Sequence, residues 1–286
     1  MPELPEVETV RVQLWKKLKG KTIKKVEILN PKSVNNDQHF SEKITGLTIK
    51  NIDRIGKLLI FSFVDQPDLF MLGHLKMTGQ FFVVNNKNIV VQGGHGTPHD
   101  HTLPNRHTRV IITFNDDTVL YFNDQRIFGY LLLTDKSGKD NAKKKFGPEP
   151  LSDKLDFETF FGRLMRSQQN IKARLLDQTF LAGLGNIYVD ETLFRAKILP
   201  TRPANTLNKG EVKKILSEAK KVLEEAIADG GTTFQTFKDS NGAKGNYTQK
   251  LRVFGRQGKP CLKCKDIIQK TRVAGRGTHF CPNCQK

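Results

Sequence analysis

The sequence predicts an α+β protein of several domains: an N-terminal antiparallel β-sandwich or barrel with a leading helix, then a helical domain, then a small hairpin tied by cysteines. Three observations predict this. Between residues 22 and 122, short alternating or apolar runs are separated by glycine and Asn-Asp turns. Across residues 156–229 apolar residues recur at helical spacing. All 4 cysteines fall in two C-x2-C pairs between residues 261 and 284.

The first element is a helix. Pro5 suits a first helical position, Glu6 and Glu8 put acids in the first turn, and Gly20 closes it. Val7, Val10, Leu14 and Leu18 form one stripe, so the helix packs on a core and anchors the start of the chain. That start is Met1-Pro2-Glu3-Leu4-Pro5-Glu6. A small second residue permits removal of Met1, which leaves Pro2 as a free secondary amine beside the Glu3 carboxylate. An α-amine with pKa near 8 is neutral in about one molecule in ten at pH 7, against roughly one in 2,500 for lysine. This is an advantage of about 3 kcal/mol before any burial. On a sugar aldehyde carbon such an amine forms an iminium with no N–H to lose, an electron sink able to drive elimination of a phosphate. The competing reading is a terminal segment that merely leads into a helix.

Next come the strand-like runs, at residues 22–29, 47–55, 57–64, 68–74, 80–84, 108–114 and 118–122. Residues 85–107 interrupt them with Asn, Gly and histidines and read as a mobile loop. His95, His99 and His101 there lack the cysteines and scaffold of a metal site. Residues 135–150 turn to Lys, Asp, Ser, Gly and Pro, a linker composition that sets an N-terminal domain at 1–134. Helices are expected over 156–167, 171–178, 186–197 and 208–229, within a helical domain spanning 151–237. The glycine turn 179–185 delivers Asn186 to a helix N-terminus, where outward N–H groups favour phosphate; a plain capping asparagine is the alternative.

The remaining segment, 238–286, is the most basic. It holds twelve Lys or Arg against only Asp239 and Asp266, a net of +10 within a chain whose 47 Lys+Arg and 29 Asp+Glu give +18. A pI near 9.8 suits a polyanion such as nucleic acid. Cys261, Cys264, Cys281 and Cys284 have zinc-ligand spacing. Without a secretion signal or a membrane-length apolar run, the chain is expected in a reducing cytoplasm, which favours one structural Zn²⁺ over two disulfides. Between the pairs, strands 266–273 and 278–281 flank Ala274-Gly275-Arg276-Gly277, so Arg276 is expected at a rigid exposed tip, poised for phosphate.

Three stretches in order, Pro2-Glu3-Leu4-Pro5-Glu6-Val7-Glu8-Thr9, Gly183-Leu184-Gly185-Asn186-Ile187-Tyr188 and Gly275-Arg276-Gly277-Thr278-His279-Phe280-Cys281, resemble the bacterial formamidopyrimidine-DNA glycosylases. The resemblance runs from Met1 to Cys284. It implies a β-sandwich domain, a helix-two-turn-helix domain and a zinc-finger hairpin, with damaged double-stranded DNA bound in the cleft between two lobes of a monomer. It implies removal of oxidised purines (8-oxoguanine, formamidopyrimidines) and strand cleavage by β,δ-elimination, in the cytoplasm and on the nucleoid. Pro2 is then the Schiff-base nucleophile and Glu3 the proton donor, its protonated form favoured by burial and by Glu6. Lys57 supports β-elimination. Arg276 supports δ-elimination and, with Asn186, clamps phosphates. Further DNA contacts are implied for His74, Arg109, Lys172 and Tyr247. Met77, Arg126 and Phe128 would fill the gap left by the expelled base and face the orphaned cytosine. Residues 232–247 would form a loop over the damaged base. Gln125, Ile127 and Phe254 depart from the family's commoner residues.

Two other readings stay open at this stage. An endonuclease VIII-like enzyme would take oxidised pyrimidines, although Leu4 favours the purine branch. A chain retaining Met1 would be a silent damage-binding protein.

Overall fold

A computed structural model describes residues 2–86, 88–94, 102–153, 155–232 and 247–286. The chain divides into two compact units, one built of residues 1–144 and 229–246, the other of 145–228 and 247–286.

The first unit opens with helix α1 (Leu4–Leu18), as the apolar stripe requires; Val7, Val10, Leu14 and Leu18 are all in its core. Strands β1 (Ile23–Ile28), β2 (Ile49–Ile55), β3 (Leu58–Phe63), β4 (Phe70–His74), β5 (Gly79–Asn85), β6 (Asn88–Gly94), β7 (Thr108–Phe114), β8 (Val119–Asp124) and β9 (Tyr130–Thr134) follow. Helix α2 (Phe40–Ile44) falls between β1 and β2. They form a five-stranded sheet, β1-β7-β8-β5-β6, and a four-stranded sheet, β2-β3-β4-β9. Every pairing is antiparallel. Phe61 of the smaller sheet meets Phe81 of the larger at 6.1 Å between ring centroids, and Phe81 meets Phe122 at 5.2 Å. Facing aromatics from two sheets make this a sandwich rather than a barrel.

Helix α1 lies against β6 of one sheet and β2 of the other. Gly93 of β6 permits the approach: a Cβ there would come within 2.3 Å of Val10 Cγ2.

Three expectations are corrected here. Strand β6 occupies part of the stretch read as loop, because Ile89-Val90-Val91 is too short an apolar run to stand out among Asn and Gly. Its pairing with β5 supplies what its sequence lacks. Strand β9 was not expected at all; Leu131-Leu132-Leu133 is a continuous apolar run rather than an alternating one. Within the stretch read as linker, Lys136–Lys144 forms helix α3, none of whose residues is buried, with Lys139 Nζ 4.1 Å above the Phe70 ring.

The second unit contains helices α4 (Phe157–Met165), α5 (Ile171–Leu176), α6 (Asn186–Ala196) and α7 (Lys209–Ala228), then the hairpin β10 (Gln269–Val273) and β11 (Arg276–Phe280). Asp156 and Asn170 cap α4 and α5 by accepting from Thr159 N–H and Ala173 N–H, each at 3.0 Å. Helix α6 is buried nearly all round, with α5, α7 and β11 packed against it. Its Glu191 accepts three backbone N–H groups, from Arg252, Val253 and Phe254, each at 2.9 Å, which fastens the segment leading into the hairpin. Among the described residues no helix is long and apolar enough to cross a membrane.

Candidate active site and nucleic-acid interface

Pro2 and Glu3 are both buried at the head of α1, Glu3 to 2 % exposure. Glu3 N–H donates to Glu6 Oε2 at 2.9 Å, closing the first turn. Glu6 Oε1 accepts Thr232 N–H at 2.7 Å and Thr232 Oγ1–H at 2.9 Å. One carboxylate therefore holds both the backbone that carries Glu3 and the first residue of the stretch read as a lesion loop. Sequence reasoning assigned Glu6 to the helix terminus and missed the partner 226 residues away.

Arg54 of β2 locks the next turn of the helix, donating from Nε to Glu8 Oε2 at 2.9 Å and from Nη1 to Gly56 O at 2.8 Å. Burial pushes the Glu8 carboxyl up, but hydrogen bonds from Arg11 and Arg54 outweigh it and hold the group below its ordinary value. The Gly56 contact also steadies the β2–β3 turn that bears Lys57, which is 6 % exposed.

His74 ends β4, opposite Leu58 in the register, so the turn at Lys57 and the end of β4 lie together. Burial, and then the charges of Lys76 and Lys57, push the His74 imidazole down to about 3. Its Nδ1 accepts Lys76 N–H at 3.0 Å. The ring is thus neutral with its proton on Nε2, a donor rather than a cation.

Met77, Arg126 and Phe128 come together at the surface. Met77 is 37 % and Phe128 51 % exposed. Arg126 bridges them, donating from Nη1 to Met77 Sδ at 3.2 Å while its guanidinium lies 4.8 Å above the Phe128 ring. Arg109, on β7, donates from Nε to Asp124 O at 2.7 Å beneath this group.

In the second unit, Asn186 begins α6 as expected, and Arg276 is exposed. Arg276 is the first residue of β11 rather than part of the turn: Val273 pairs with it, and the turn is Ala274-Gly275, with φ of 49° and 73°. Asn186 Nδ2 donates to Gly277 O at 3.0 Å, next to Arg276. Gln178, which the sequence did not single out, shapes the turn before α6: Nε2 donates to Leu184 O at 2.8 Å and Oε1 accepts Gly183 N–H at 2.9 Å.

Two residues expected to contact DNA are buried in this structure. Lys172 is fully buried; its ammonium pairs with Asp190 Oδ1 at 2.7 Å and donates to Gly277 O at 3.1 Å. Tyr247 is also fully buried, its hydroxyl accepting from Arg195 Nη2 at 3.0 Å while burial pushes its pKa up. Both contacts were implied by the family resemblance alone, and the buried partners of these two residues are ones that no local pattern announces.

Cys261, Cys264, Cys281 and Cys284 are free thiols whose sulfurs lie within 4.8 Å of one another, Cys264 and Cys281 at 3.4 Å and Cys261 and Cys284 at 4.0 Å. Tetrahedral zinc with Zn–S of about 2.3 Å spaces its sulfurs about 3.8 Å apart, so the donor set fits one structural Zn²⁺ and not two disulfides. Lys263 N–H and Cys284 N–H each point to a ligand sulfur at 3.4 Å. Gln285 docks this end on the helical unit, donating to Ile198 O at 2.9 Å and accepting Cys281 N–H at 2.8 Å. His95, His99 and His101, Met1, and residues 233–246 lie outside the described residues.

Three family models match the chain: formamidopyrimidine-DNA glycosylase N-terminal domain over residues 1–131, formamidopyrimidine-DNA glycosylase H2TH domain over 146–238, and the zinc finger found in FPG and IleRS over 258–286. The chain is 39% identical over 291 residues to a formamidopyrimidine-DNA glycosylase of an Exiguobacterium species, covering 100% of both. With that of Ligilactobacillus salivarius it shares 43% over 289 residues, covering 100% of this chain and 99% of the relative. Among solved structures it resembles Lactococcus lactis Fpg in complex with abasic-site DNA, with a TM-score of 0.86 and 36% identity over 100% of both chains. The same enzyme with Fapy-dG DNA gives a TM-score of 0.85 at 36% identity, covering 99% of this chain and 100% of that one.

Proposed function

The chain belongs to the formamidopyrimidine-DNA glycosylase family, DNA glycosylases of base excision repair, and we propose that it removes oxidised purines from duplex DNA through Pro2. The observation that carries this reading is the burial of Pro2 and Glu3 at the head of α1, where Glu6 accepts Glu3 N–H, which fixes a terminal amine that would otherwise fray.

The nitrogen of Pro2, freed by loss of Met1, attacks the sugar C1′, and the C1′–base bond breaks with its electron pair going to the base, which takes up the proton released from the Pro2 nitrogen. Glu3 gives its proton to the ring oxygen as the sugar opens, leaving an iminium between Pro2 and C1′. Loss of a proton from C2′ expels the 3′ phosphate, and a second elimination expels the 5′ phosphate. Lys57 supports the first elimination. Extrusion of the nucleotide costs a few kcal/mol of stacking, which Met77 and Phe128 offset by insertion while Arg126 donates to the acceptors of an orphaned cytosine. His74, Arg109, Asn186 and Arg276 hold phosphates, and the zinc hairpin acts as a rigid mount for Arg276. The chain acts as a monomer in the cytoplasm, on nucleoid DNA.

Borohydride reduction during reaction with an 8-oxoguanine duplex tests this. A covalent adduct is expected with the parent chain, abolished or sharply weakened with Pro2→Gly or a blocked terminus, and much weaker with a thymine glycol duplex. Intact mass of the same sample should show Met1 removed. An adduct that survives a blocked terminus would move the nucleophile elsewhere.

A further inference from the structure

Asp124 is the last residue of β8 and is 0 % exposed, yet the chemistry above gives its side chain no role. Its carboxylate is surrounded by donors from the two loops, β4–β5 and β8–β9, that carry the gap-filling residues. Oδ1 accepts Thr78 Oγ1–H, the hydroxyl next to Met77, and Arg126 N–H at 3.1 Å. Oδ2 accepts Phe128 N–H at 2.9 Å and Gly129 N–H at 2.6 Å. A carboxylate offers about four lone-pair sites, and these four donors use them. Thr78 Oγ1 also accepts Arg126 N–H at 3.1 Å, which closes the network.

The β8–β9 loop needs such a brace. Ile127 has φ of 56°, left-handed backbone that a β-branched residue adopts only under constraint. Asp124 grips the chain on both sides of it, at Arg126 N–H and Phe128 N–H. Gly129 must lack a side chain, because a Cβ would lie 2.9 Å from His74 O and 3.1 Å from Asp124 Oδ2. The backbone carbonyl of Asp124 meanwhile accepts from Arg109 Nε. Met77, Arg126 and Phe128 are exposed, but the hub that spaces them is buried.

We propose that Asp124 is a positioning residue: it holds Met77, Arg126 and Phe128 as one preformed insertion unit, so that selectivity for the base opposite the lesion depends on a side chain that never meets DNA. The proposal rests on the glycosylase reading, and the test separates the two. Asp124→Asn keeps the shape but turns one acceptor into a donor facing donors. Thr78→Val removes only the shared hydroxyl and guards against a folding defect in the first variant.

Single-turnover excision of 8-oxoguanine opposite C should fall about tenfold or more in Asp124→Asn, as displaced positioning groups generally cost. The ratio of rates opposite C and opposite A should move toward one. Cleavage of a preformed abasic site, which has no base to expel, should stay within about twofold of the parent. Thr78→Val should shift the ratio in the same direction by less. Fluorescence of 2-aminopurine beside a tetrahydrofuran site reports insertion without any bond breaking, and both variants should lose part of the parent's signal change. Variants that keep the parent's C-to-A ratio and fluorescence change overturn the proposal, as does an equal loss of excision and abasic cleavage. A parent chain that inserts but excises nothing would sink the glycosylase reading while leaving the fluorescence test of Asp124 intact.

Discussion

A single oxygen of Glu6 accepts both the backbone N–H and the hydroxyl of Thr232, while the other accepts Glu3 N–H. The residue that holds the Glu3 backbone is thereby bound to the stretch of chain that returns to the first unit. Glu6→Gln puts an amide donor against one of these donors, and leaving a buried N–H unpaired costs roughly 1 to 3 kcal/mol. Lower thermal stability and a smaller borohydride adduct are expected together. Thr232→Val, which keeps the N–H bond, should lose about 1 kcal/mol or less.

His74 should act on DNA as a neutral donor. In the plot of log affinity against log salt, Arg276→Ala should reduce the slope by about 0.9, one counterion's worth, whereas His74→Gln should weaken binding with the slope unchanged. A slope change in His74→Gln would mean a charged imidazole.

The same histidine makes stability depend on pH. The unfolded chain takes up a proton near 6.5 that the folded chain refuses until about 3, so stability falls as pH drops through that window and is flat above it with respect to this group. Denaturant midpoints measured from pH 7 down to pH 4 should fall less steeply in His74→Gln than in the parent.

Lys172→Met should destabilise the helical unit by roughly 3 to 5 kcal/mol, because it strands the Asp190 carboxylate without its cation. DNA affinity should fall as well, since Lys172 and Asn186 share the Gly277 carbonyl that sets the base of Arg276. The double variant Lys172→Met, Asp190→Leu should recover much of the stability, measurable by thermal unfolding.

Chelation should release one zinc per chain and abolish tight DNA binding, while the β-sandwich unit keeps its unfolding transition. Cys264→Ser should do the same without chelator.

The architecture was legible where periodicity was strong. Helix α1, α7 and strand β7 follow their apolar spacing almost to the residue. The four zinc ligands were legible from spacing alone. Strand β6 was not, because its pairing partner rather than its composition stabilises it, and β9 was hidden by an unbroken apolar run. The burial of Lys172 and Tyr247 depends on Asp190 and Arg195, partners set by tertiary packing, which no one-dimensional pattern records. Asp124 escaped for a related reason: an acid at a strand end looks like an ordinary turn residue until its four donors are seen converging on it.

Gly93 gives the fold an asymmetry in how it tolerates change. Adding one methyl group on β6 would shove Val10 outward, and the whole of α1 would have to tilt with it. Pro2, the proposed nucleophile, rides on the far end of that lever, so a substitution remote from any lesion would misaim it. Screens for inactive variants should therefore recover position 93 beside the residues that perform the chemistry.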